Sequence, residues 1–251
     1  MKRVAFAVII AAGLTSAAIA KPPPKGAYKF SEEEAQAAMR DYVACSVKAS
    51  PALASQAVVE DWETRQLIGQ GSKLVSPACT RAAGLVGQMR FQPEIFRAAA
   101  AERLIVVNST IAPTKEVLAP LAPLAYHMPW PVKTVDDKGK PLSAEAIAKQ
   151  QEGYNHRLAV IAGQQIGECT VKADPQTVRK LFDTADNSDA ELAAMKALTG
   201  ILPGCVPAQK KFSFNRQSLR GSLAMAYYRL AMASKGVVWA GEPSLLSKPS
   251  S

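Results

Sequence analysis

Hydrophobic residues along this chain recur mostly at the spacing of an α-helix. In the second half, Leu158, Ala162, Ile166 and Cys169 fall on one face of a single predicted helix. Alternation of hydrophobic and polar residues, which is typical of a β-strand, is scarce outside the middle of the chain. The pattern therefore predicts an all-α fold.

Capping residues divide this pattern into separate helices. Ser31, followed by Glu32, Glu33 and Glu34, is a capping box with acidic residues in the first turn, and it predicts a helix that runs to Cys45. Ser50-Pro51 predicts a second helix, with serine as the N-cap and proline at the first helical position. Asp174-Pro175 predicts the same kind of start later in the chain.

Two further helices are predicted in the second half. Residues 187–189 (Asn-Ser-Asp) form a cap for a third helix that continues through Glu191 to Leu202, and a fourth runs from Arg216 to Ala233. In the first half, Gly69 and Gly71 lower the helix propensity of the corresponding third segment. Four helices are therefore expected in each half.

The cysteines lie in an internal repeat. Residues 45–51 (CSVKASP) and 169–175 (CTVKADP) share five identical residues of seven. Cys79 lies 34 residues after Cys45 (79 − 45), and Cys205 lies 36 residues after Cys169 (205 − 169). The chain is most simply two copies of one helical unit, residues 28–108 and residues 145–235.

Four cysteines allow three disulfide connectivities, and the duplication favours one of them. A duplicated unit most simply carries its bridge within itself, which predicts Cys45–Cys79 and Cys169–Cys205. Each bridge would contribute about 3–4 kcal/mol if its effect is to restrict the unfolded chain. A redox or metal site is disfavoured because no Cys-x-x-Cys is present and the chain has only two histidines. No metal site and no cofactor are predicted.

Residues 109–144, called the connector below, join the two units. Six of the 17 prolines lie here, so the connector cannot be helical throughout. It is too apolar for a free linker, and we expect it to dock on the helical units. The apolar side chains that would need cover are Leu118, Leu121, Leu124, Tyr126, Met128 and Trp130.

Two local features of the connector are notable. Residues 132–135 favour a short strand before a turn at residues 136–139 (Asp-Asp-Lys-Gly). His127, between Tyr126 and Trp130, is the most site-like position in the chain. The alternative is that aromatic packing holds this segment down, and we favour that interpretation.

The two ends of the chain are set apart by composition. Residues 1–20 are typical of a secretory signal peptide, with Lys2 and Arg3, an apolar stretch and a small-x-small site at Ala18-Ile19-Ala20. Residues 236–251 are expected to be a frayed tail. Export predicts a periplasmic or secreted protein, in which disulfides persist.

Composition and charge narrow the classes of protein further. A hydrophobic fraction of 48% with 20% charged residues is globular, and no apolar run is long enough for a transmembrane helix. The formal net charge is +9, and it falls to +7 without Lys2 and Arg3. These values exclude a disordered chain and a polytopic membrane protein.

Known catalytic motifs are missing from the sequence. There is no Gly-x-Ser-x-Gly, and Gly69-Gln70-Gly71 lacks the rest of a nucleotide-binding loop. Glu152 and His156 stand four residues apart on a predicted helix, a spacing at which a carboxylate can orient an imidazole, but surface pairs of this kind are common. The residues do not assemble an evident active site.

Positive charge is concentrated near the end of the chain. Residues 206–235 contain no Asp or Glu and six basic residues: Lys210, Lys211, Arg216, Arg220, Arg229 and Lys235. Such a basic stripe suits an anionic envelope component or an acidic protein, and export argues against nucleic acid. A solvated basic face is the alternative interpretation.

Residues 219–230 (LRGSLAMAYYRL), together with the preceding cysteine pair, resemble a repeat of uncharacterised exported helical proteins of Gram-negative bacteria. In those proteins a Leu-Arg-Gly-x-Leu-Ala helix follows two cysteines. The corresponding helix of the first unit, from Ile95 to Leu104, has lost the glycine and the tyrosine, and Met225 stands where the repeat has a glutamate. The resemblance implies an all-helical, disulfide-bearing periplasmic fold and implies no activity.

These observations predict a non-enzymatic envelope protein that binds a partner or has a structural role. The alternative is an envelope hydrolase with its site between the two units, near His127 and Trp130.

Overall fold

The structure is a computed structural model that describes residues 31–69, 73–84, 92–206 and 212–239. Within these ranges the regular structure is helical, as predicted, and the β-pairing is limited to an isolated bridge between Val135 and Pro141. The first unit contains α1 (Glu32–Ala49), α2 (Pro51–Val59), α3 (Thr64–Gly69), α4 (Pro77–Ala82) and α5 (Pro93–Val107). The connector contains α6 (Lys115–Leu118). The second unit contains α7 (Ala144–Ala173), α8 (Pro175–Leu181), α9 (Asp189–Ala197), a 3-10 turn (Leu198–Gly200), α10 (Leu202–Cys205) and α11 (Arg216–Ala233).

The predicted helix starts are confirmed, with one correction. The Ser31 hydroxyl accepts from the Glu34 amide at 3.1 Å, and the Glu34 carboxylate accepts from the Ser31 amide at 2.8 Å. The Asp174 carboxylate accepts from the Thr177 amide at the start of α8. Ser50 precedes α2 with a similar backbone but makes no capping hydrogen bond with its side chain. The proline that follows it is therefore the feature that both units share at this break.

The third predicted helix of the second unit is interrupted. We expected one helix from the cap at residues 187–189 through Glu191 to Leu202, but α9 ends at Ala197 and a 3-10 turn separates it from α10. Gly200 has a low helix propensity, and Pro203 lacks the amide hydrogen that a continuous helix would need. Each unit therefore has five described helices rather than four. The predicted bounds of α11, Arg216 to Ala233, are confirmed.

Both predicted disulfides are present. Cys45 of α1 is bonded to Cys79 of α4 with a Cα–Cα distance of 5.4 Å, and Cys169 of α7 is bonded to Cys205 of α10 with a distance of 5.6 Å. Each bridge joins the first helix of its unit to a short later helix. The repeat seen in the sequence is therefore also a repeat in the structure.

The two units share one hydrophobic core. Helix α11 lies at its centre and packs against α5 and α2 of the first unit and α7 and α8 of the second. Buried residues of both units, from Tyr42 and Phe96 to Leu223 and Tyr227, form a single cluster. Because α11 is covered on several sides, it is buried over most of its length and lacks a polar face.

Glycines bring α7 and α11 close together. A Cβ atom on Gly167 would lie 2.7 Å from the carbonyl oxygen of Ser222, and one on Gly163 would lie 3.1 Å from the Ser222 hydroxyl. A backbone oxygen at 2.7 Å leaves no space for a methyl group. The close crossing of these helices therefore depends on glycine at 167.

The connector docks on the helices only in part. Leu118 is buried, and Leu121, Leu124 and Tyr126 are partly buried, as expected. Met128 and Trp130, however, are 62% and 63% exposed, so the expectation that they are covered is wrong. The short strand predicted at residues 132–135 is reduced to the single bridge at Val135.

The ends of the chain are described only in part. Within the segment predicted as a frayed tail, Val237 and Val238 are exposed, and the Trp239 ring lies 4.0 Å from the His127 ring, centroid to centroid. Residues 240–251 and the predicted signal peptide, residues 1–20, lie outside the described residues.

Candidate functional site

Four charged residues meet beneath the connector and form what we call the Asp61 cluster: Asp61, Arg97, Arg157 and Arg229. Asp61 follows α2, and the three arginines come from α5, α7 and α11. The side chains of Asp61 and Arg97 are at most 1% exposed, and Arg157 and Arg229 are also buried. Ionic groups at this depth require partners.

One carboxylate links the two units within the cluster. Asp61 Oδ1 lies 2.9 Å from Arg97 Nη2, and Asp61 Oδ2 accepts a hydrogen bond from Arg157 Nη2. A second carboxylate, Glu94, stands at the rim, with its Oε1 3.9 Å from Arg157 Nη1. Asp61 therefore joins the first unit to the long helix of the second.

The charges of the cluster change the acidity of its members. Burial alone would raise the pKa of the Asp61 carboxyl, but the positive charges of Arg97, Arg157 and Arg229 outweigh it and lower this pKa. Burial lowers the pKa of Arg97 and of Arg229 because it disfavours their charged forms. Asp61 is therefore held ionised among several arginines.

The cluster holds the connector through main-chain hydrogen bonds. Arg157 Nε donates to the His127 carbonyl at 3.0 Å, and the His127 amide donates to Asp61 Oδ2 at 3.3 Å. Arg229 Nη2 donates to the Ala125 carbonyl, and its guanidinium lies 5.0 Å from the centre of the Tyr126 ring. These bonds fix residues 125–127 over the cluster.

Glu168 and Lys172 of α7 continue this network along the connector. The Glu168 carboxylate accepts from the Leu124 amide at 3.2 Å, the Tyr126 hydroxyl at 2.9 Å and the Lys172 ammonium at 3.0 Å. Lys172 also donates to the Leu121 carbonyl at 2.9 Å. Burial, followed by the charge of Glu168, raises the pKa of the Tyr126 hydroxyl, which therefore remains a donor.

His127, the most site-like residue in the sequence, takes part in packing and hydrogen bonding. It is buried, its Nε2 lies 2.9 Å from the Glu60 carbonyl oxygen, and its ring packs on Trp239. The interpretation based on aromatic packing is therefore favoured, although the aromatic partner is Trp239 rather than Trp130. Glu152 and His156 are both exposed on α7, and no hydrogen bond joins their side chains.

Two members of the predicted basic stripe are not on the surface. Arg220 is buried against the carboxylates of Glu102, Glu191 and Asp186, and Arg229 belongs to the Asp61 cluster. Including them in an exposed anion-binding face was wrong, because α11 is the central helix of the core.

The other members of the stripe remain candidates for binding an anionic partner. The Arg216 side chain is 40% exposed, and Lys235 is exposed. Lys210 and Lys211 lie outside the described residues.

Sequence reasoning missed Asp61, Arg97 and Arg157, although the repeat carried a signal for two of them. Asp186 lies 125 residues after Asp61 (186 − 61), and Arg220 lies 123 residues after Arg97 (220 − 97). Both intervals lie close to the offsets of the repeated cysteines, which are 124 (169 − 45) and 126 (205 − 79). A charged pair repeated at this spacing indicates an interaction that both units share.

Two surface clefts border the second unit. One, of about 430 Å³, lies along the connector and is lined by Pro123, Leu124, Tyr126, Gln165, Glu168, Cys169 and Lys172. Another, of about 340 Å³, lies at the junction of α7 and α8, beside Lys115 and Asp174. His127 and His156 do not line either cleft.

No protein family, curated protein or solved structure matches this chain. None of the helices in the described part of the chain is long and apolar enough to cross a membrane.

Proposed function

We propose that the chain is a non-enzymatic protein of the cell envelope that binds an anionic envelope component. The observation that carries the proposal is that the buried polar side chains form hydrogen bonds to the connector. Asp61, Glu168, Arg157, Arg229 and Lys172 all bond to the main chain of the connector. Carboxylates and basic side chains can perform acid–base chemistry, but in this protein these five side chains attach the connector to the helices.

The hydrolase alternative receives little support from this geometry. A general base needs a pKa near the working pH and an open path to its substrate. The carboxylate that accepts from the His127 amide is Asp61, whose pKa is lowered and which is fully buried. The His127 Nε2 atom is engaged with the Glu60 carbonyl. This pair is poorly suited to activate a nucleophile.

An envelope location rests on two independent features. The first 20 residues are typical of a signal peptide, and one disulfide joins two helices within each unit. The binding surface we propose is the part of the basic stripe that precedes α11, namely Arg216, whose side chain is 40% exposed, with Lys210 and Lys211, which lie outside the described residues.

The test is sedimentation of the purified, oxidised protein with anionic material. We would use purified peptidoglycan sacculi, and separately vesicles of phosphatidylglycerol with phosphatidylcholine, with pure phosphatidylcholine as the neutral control. Retention is expected on anionic material and should weaken as salt is raised, since exposed charges are screened beyond about 10 Å at 0.1 M ionic strength.

A pair of matched variants locates the surface. Replacing Lys210, Lys211 and Arg216 with glutamine should reduce retention. Lys138, Lys140 and Lys149 are exposed on the connector and α7. Replacing these three lysines with glutamine removes the same charge elsewhere and should leave most of the retention intact. Equal losses from the two triple variants would reject this surface, and salt-insensitive retention or no retention would reject the proposed function.

A further inference from the structure

The two units contain corresponding arginine–aspartate ion pairs that differ in burial and in electrostatic surroundings. Arg97 near the start of α5 contacts Asp61, in the loop after α2, and Arg220 near the start of α11 contacts Asp186, in the loop after α8. The arginines are 123 residues apart and the aspartates 125. The second unit therefore serves as an internal reference for the first.

Arg220 has acceptors for every nitrogen of its guanidinium. Its Nε and Nη2 donate to the Glu102 carboxylate at 2.9 and 2.7 Å, and its Nη1 donates to Glu191 at 2.9 Å. The hydroxyl and carbonyl of Thr184 accept two more bonds. With Asp186 at 3.3 Å, one guanidinium faces three carboxylates.

Arg97, in contrast, lacks hydrogen-bond acceptors for its guanidinium. Its Nη2 lies 2.9 Å from Asp61 Oδ1, but this ion pair does not have hydrogen-bond geometry, and Nε, Nη1 and Nη2 all lack a hydrogen-bond partner. The side chain is only 1% exposed. Arginine keeps its proton in proteins, so the charge cannot be removed by titration.

The neighbours of Arg97 do not balance its charge. Three guanidiniums surround the single Asp61 carboxylate, which leaves +2 in the cluster (3 − 1), and counting Glu94 at the rim still leaves +1 (3 − 2). Glu168, further along the network, is paired with Lys172. The excess positive charge is therefore local to the Asp61 cluster.

Unpaired buried groups are concentrated at the same place. Seven buried side-chain atoms of the described residues lack a hydrogen-bond partner, and six of them belong to this cluster. Five of the six are donors: three on Arg97, and one each on Arg157 and Arg229. Groups of this kind call for a specific acceptor, and guanidinium donors match the oxygens of an oxyanion in shape and charge.

We propose that the Asp61 cluster binds one small oxyanion, such as sulfate, phosphate or a carboxylate, on the unpaired donors of Arg97 and its two arginine neighbours. The site lies under residues 125–127 of the connector, so the bound group must be small. It is separate from the surface basic stripe, and the proposed function and this site can fail independently.

The first test is thermal unfolding of the oxidised protein in chloride and in sulfate at constant ionic strength, with Arg97→Met as the variant. Sulfate stabilises proteins in general by its exclusion from their surface. The informative quantity is therefore the difference between wild type and variant in the rise of melting temperature from chloride to sulfate. Arg103→Met removes the same charge from an exposed position of the same helix and is the matched control. Wild type and Arg103→Met should show an additional, saturable rise of the melting temperature that Arg97→Met lacks.

Calorimetric titration with inorganic phosphate gives the affinity directly. Losing the hydrogen bonds from one guanidinium to an anion should weaken binding about 10- to 100-fold in Arg97→Met. A parallel titration with glycerol phosphate distinguishes a free phosphate ion from a phosphate group on a larger molecule. Binding of both shows that the site takes a phosphate group on a larger molecule, and binding of inorganic phosphate alone shows that it takes only a free ion.

Diffraction tests whether an oxyanion binds at the Asp61 cluster even if Arg97→Met does not fold. Crystals of the wild-type protein soaked in selenate should give an anomalous peak within hydrogen-bond distance of Arg97. Water alone at the cluster, or sulfate and phosphate responses that are equal in wild type and Arg97→Met, would overturn the proposal.

Discussion

Gly221 of α11 lies directly against Ala98 of α5, where a Cβ atom on the glycine would be 3.0 Å from the alanine Cβ. These residues occupy matching positions of the two units, 123 residues apart (221 − 98). Contact between matching positions is what a two-fold relationship between the repeats produces. It also explains why the first unit lacks the glycine of the Leu-Arg-Gly helix, since one glycine at the contact leaves room for alanine opposite.

The contact between α7 and α11 predicts opposite effects for two glycine substitutions in one helix. Gly167→Ala would place a methyl group 2.7 Å from the Ser222 carbonyl oxygen and should destabilise the fold by about 1–3 kcal/mol. Gly153→Ala meets nothing within 4 Å and should stabilise it by about 0.5–1 kcal/mol through helix propensity. Denaturant unfolding measures both, and a stabilising Gly167→Ala would refute the close crossing.

The aspartates of the two ion pairs should differ in how much each contributes to the free energy of unfolding. Asp61→Asn leaves three buried guanidiniums with only the rim carboxylate of Glu94 and should reduce the free energy of unfolding by about 3–5 kcal/mol. Asp186→Asn should cost about 1 kcal/mol or less, because Asp186 is 30% exposed and Arg220 keeps Glu102 and Glu191. Comparable losses in chemical denaturation would contradict the assigned geometry.

Acid should remove the contribution of Asp61. Its pKa is lower in the folded protein than in the unfolded chain, so its stabilisation is present above the unfolded value of about 4 and is lost as pH falls through the folded value. The stability difference between wild type and Asp61→Asn should be constant above about pH 5 and shrink below about pH 4. A difference that instead grows as pH falls would mean that the pKa is raised.

The disulfides should be reduced in a fixed order. In the first bridge Cys45 is partly exposed but Cys79 is only 1% exposed, whereas Cys169 and Cys205 are both partly exposed and Cys169 lines the cleft along the connector. A small dithiol should therefore open Cys169–Cys205 first, at a cost of about 3–4 kcal/mol for its loop of 36 residues. Alkylation of the free thiols followed by peptide mapping gives the order, and earlier labelling of Cys45 and Cys79 would contradict it.

Much of the fold follows from local sequence. Caps at Ser31 and Asp174, prolines at 51 and 175 and the cysteine repeat predicted the main helices and both disulfides, because each acts over a few residues or is duplicated. The break in the helix after Ala197 was also signalled locally, by Gly200 and Pro203, but the apolar periodicity around them favoured a continuous helix.

The charged site could not be predicted in the same way. Arg220 and Arg229 suggested a basic surface because a helix with two arginines usually has a solvated side. They are buried because α11 is covered by helices of both units, a consequence of how the two copies pack. The exposure of Met128 and Trp130 likewise depends on where the connector leaves the core.

The most direct test of the account compares Arg97→Met with Arg220→Met in buffer without oxyanions. Denaturant unfolding should find Arg97→Met as stable as wild type or more stable, because an apolar side chain replaces an excess buried charge and Asp61 keeps Arg157. Arg220→Met should lose about 3–5 kcal/mol, because Glu191 would be left buried beside Glu102 without their shared guanidinium. Equal losses in the two variants would contradict the central claim that the ion pair of the first unit carries excess buried positive charge, whereas every guanidinium nitrogen of the corresponding arginine in the second unit has an acceptor.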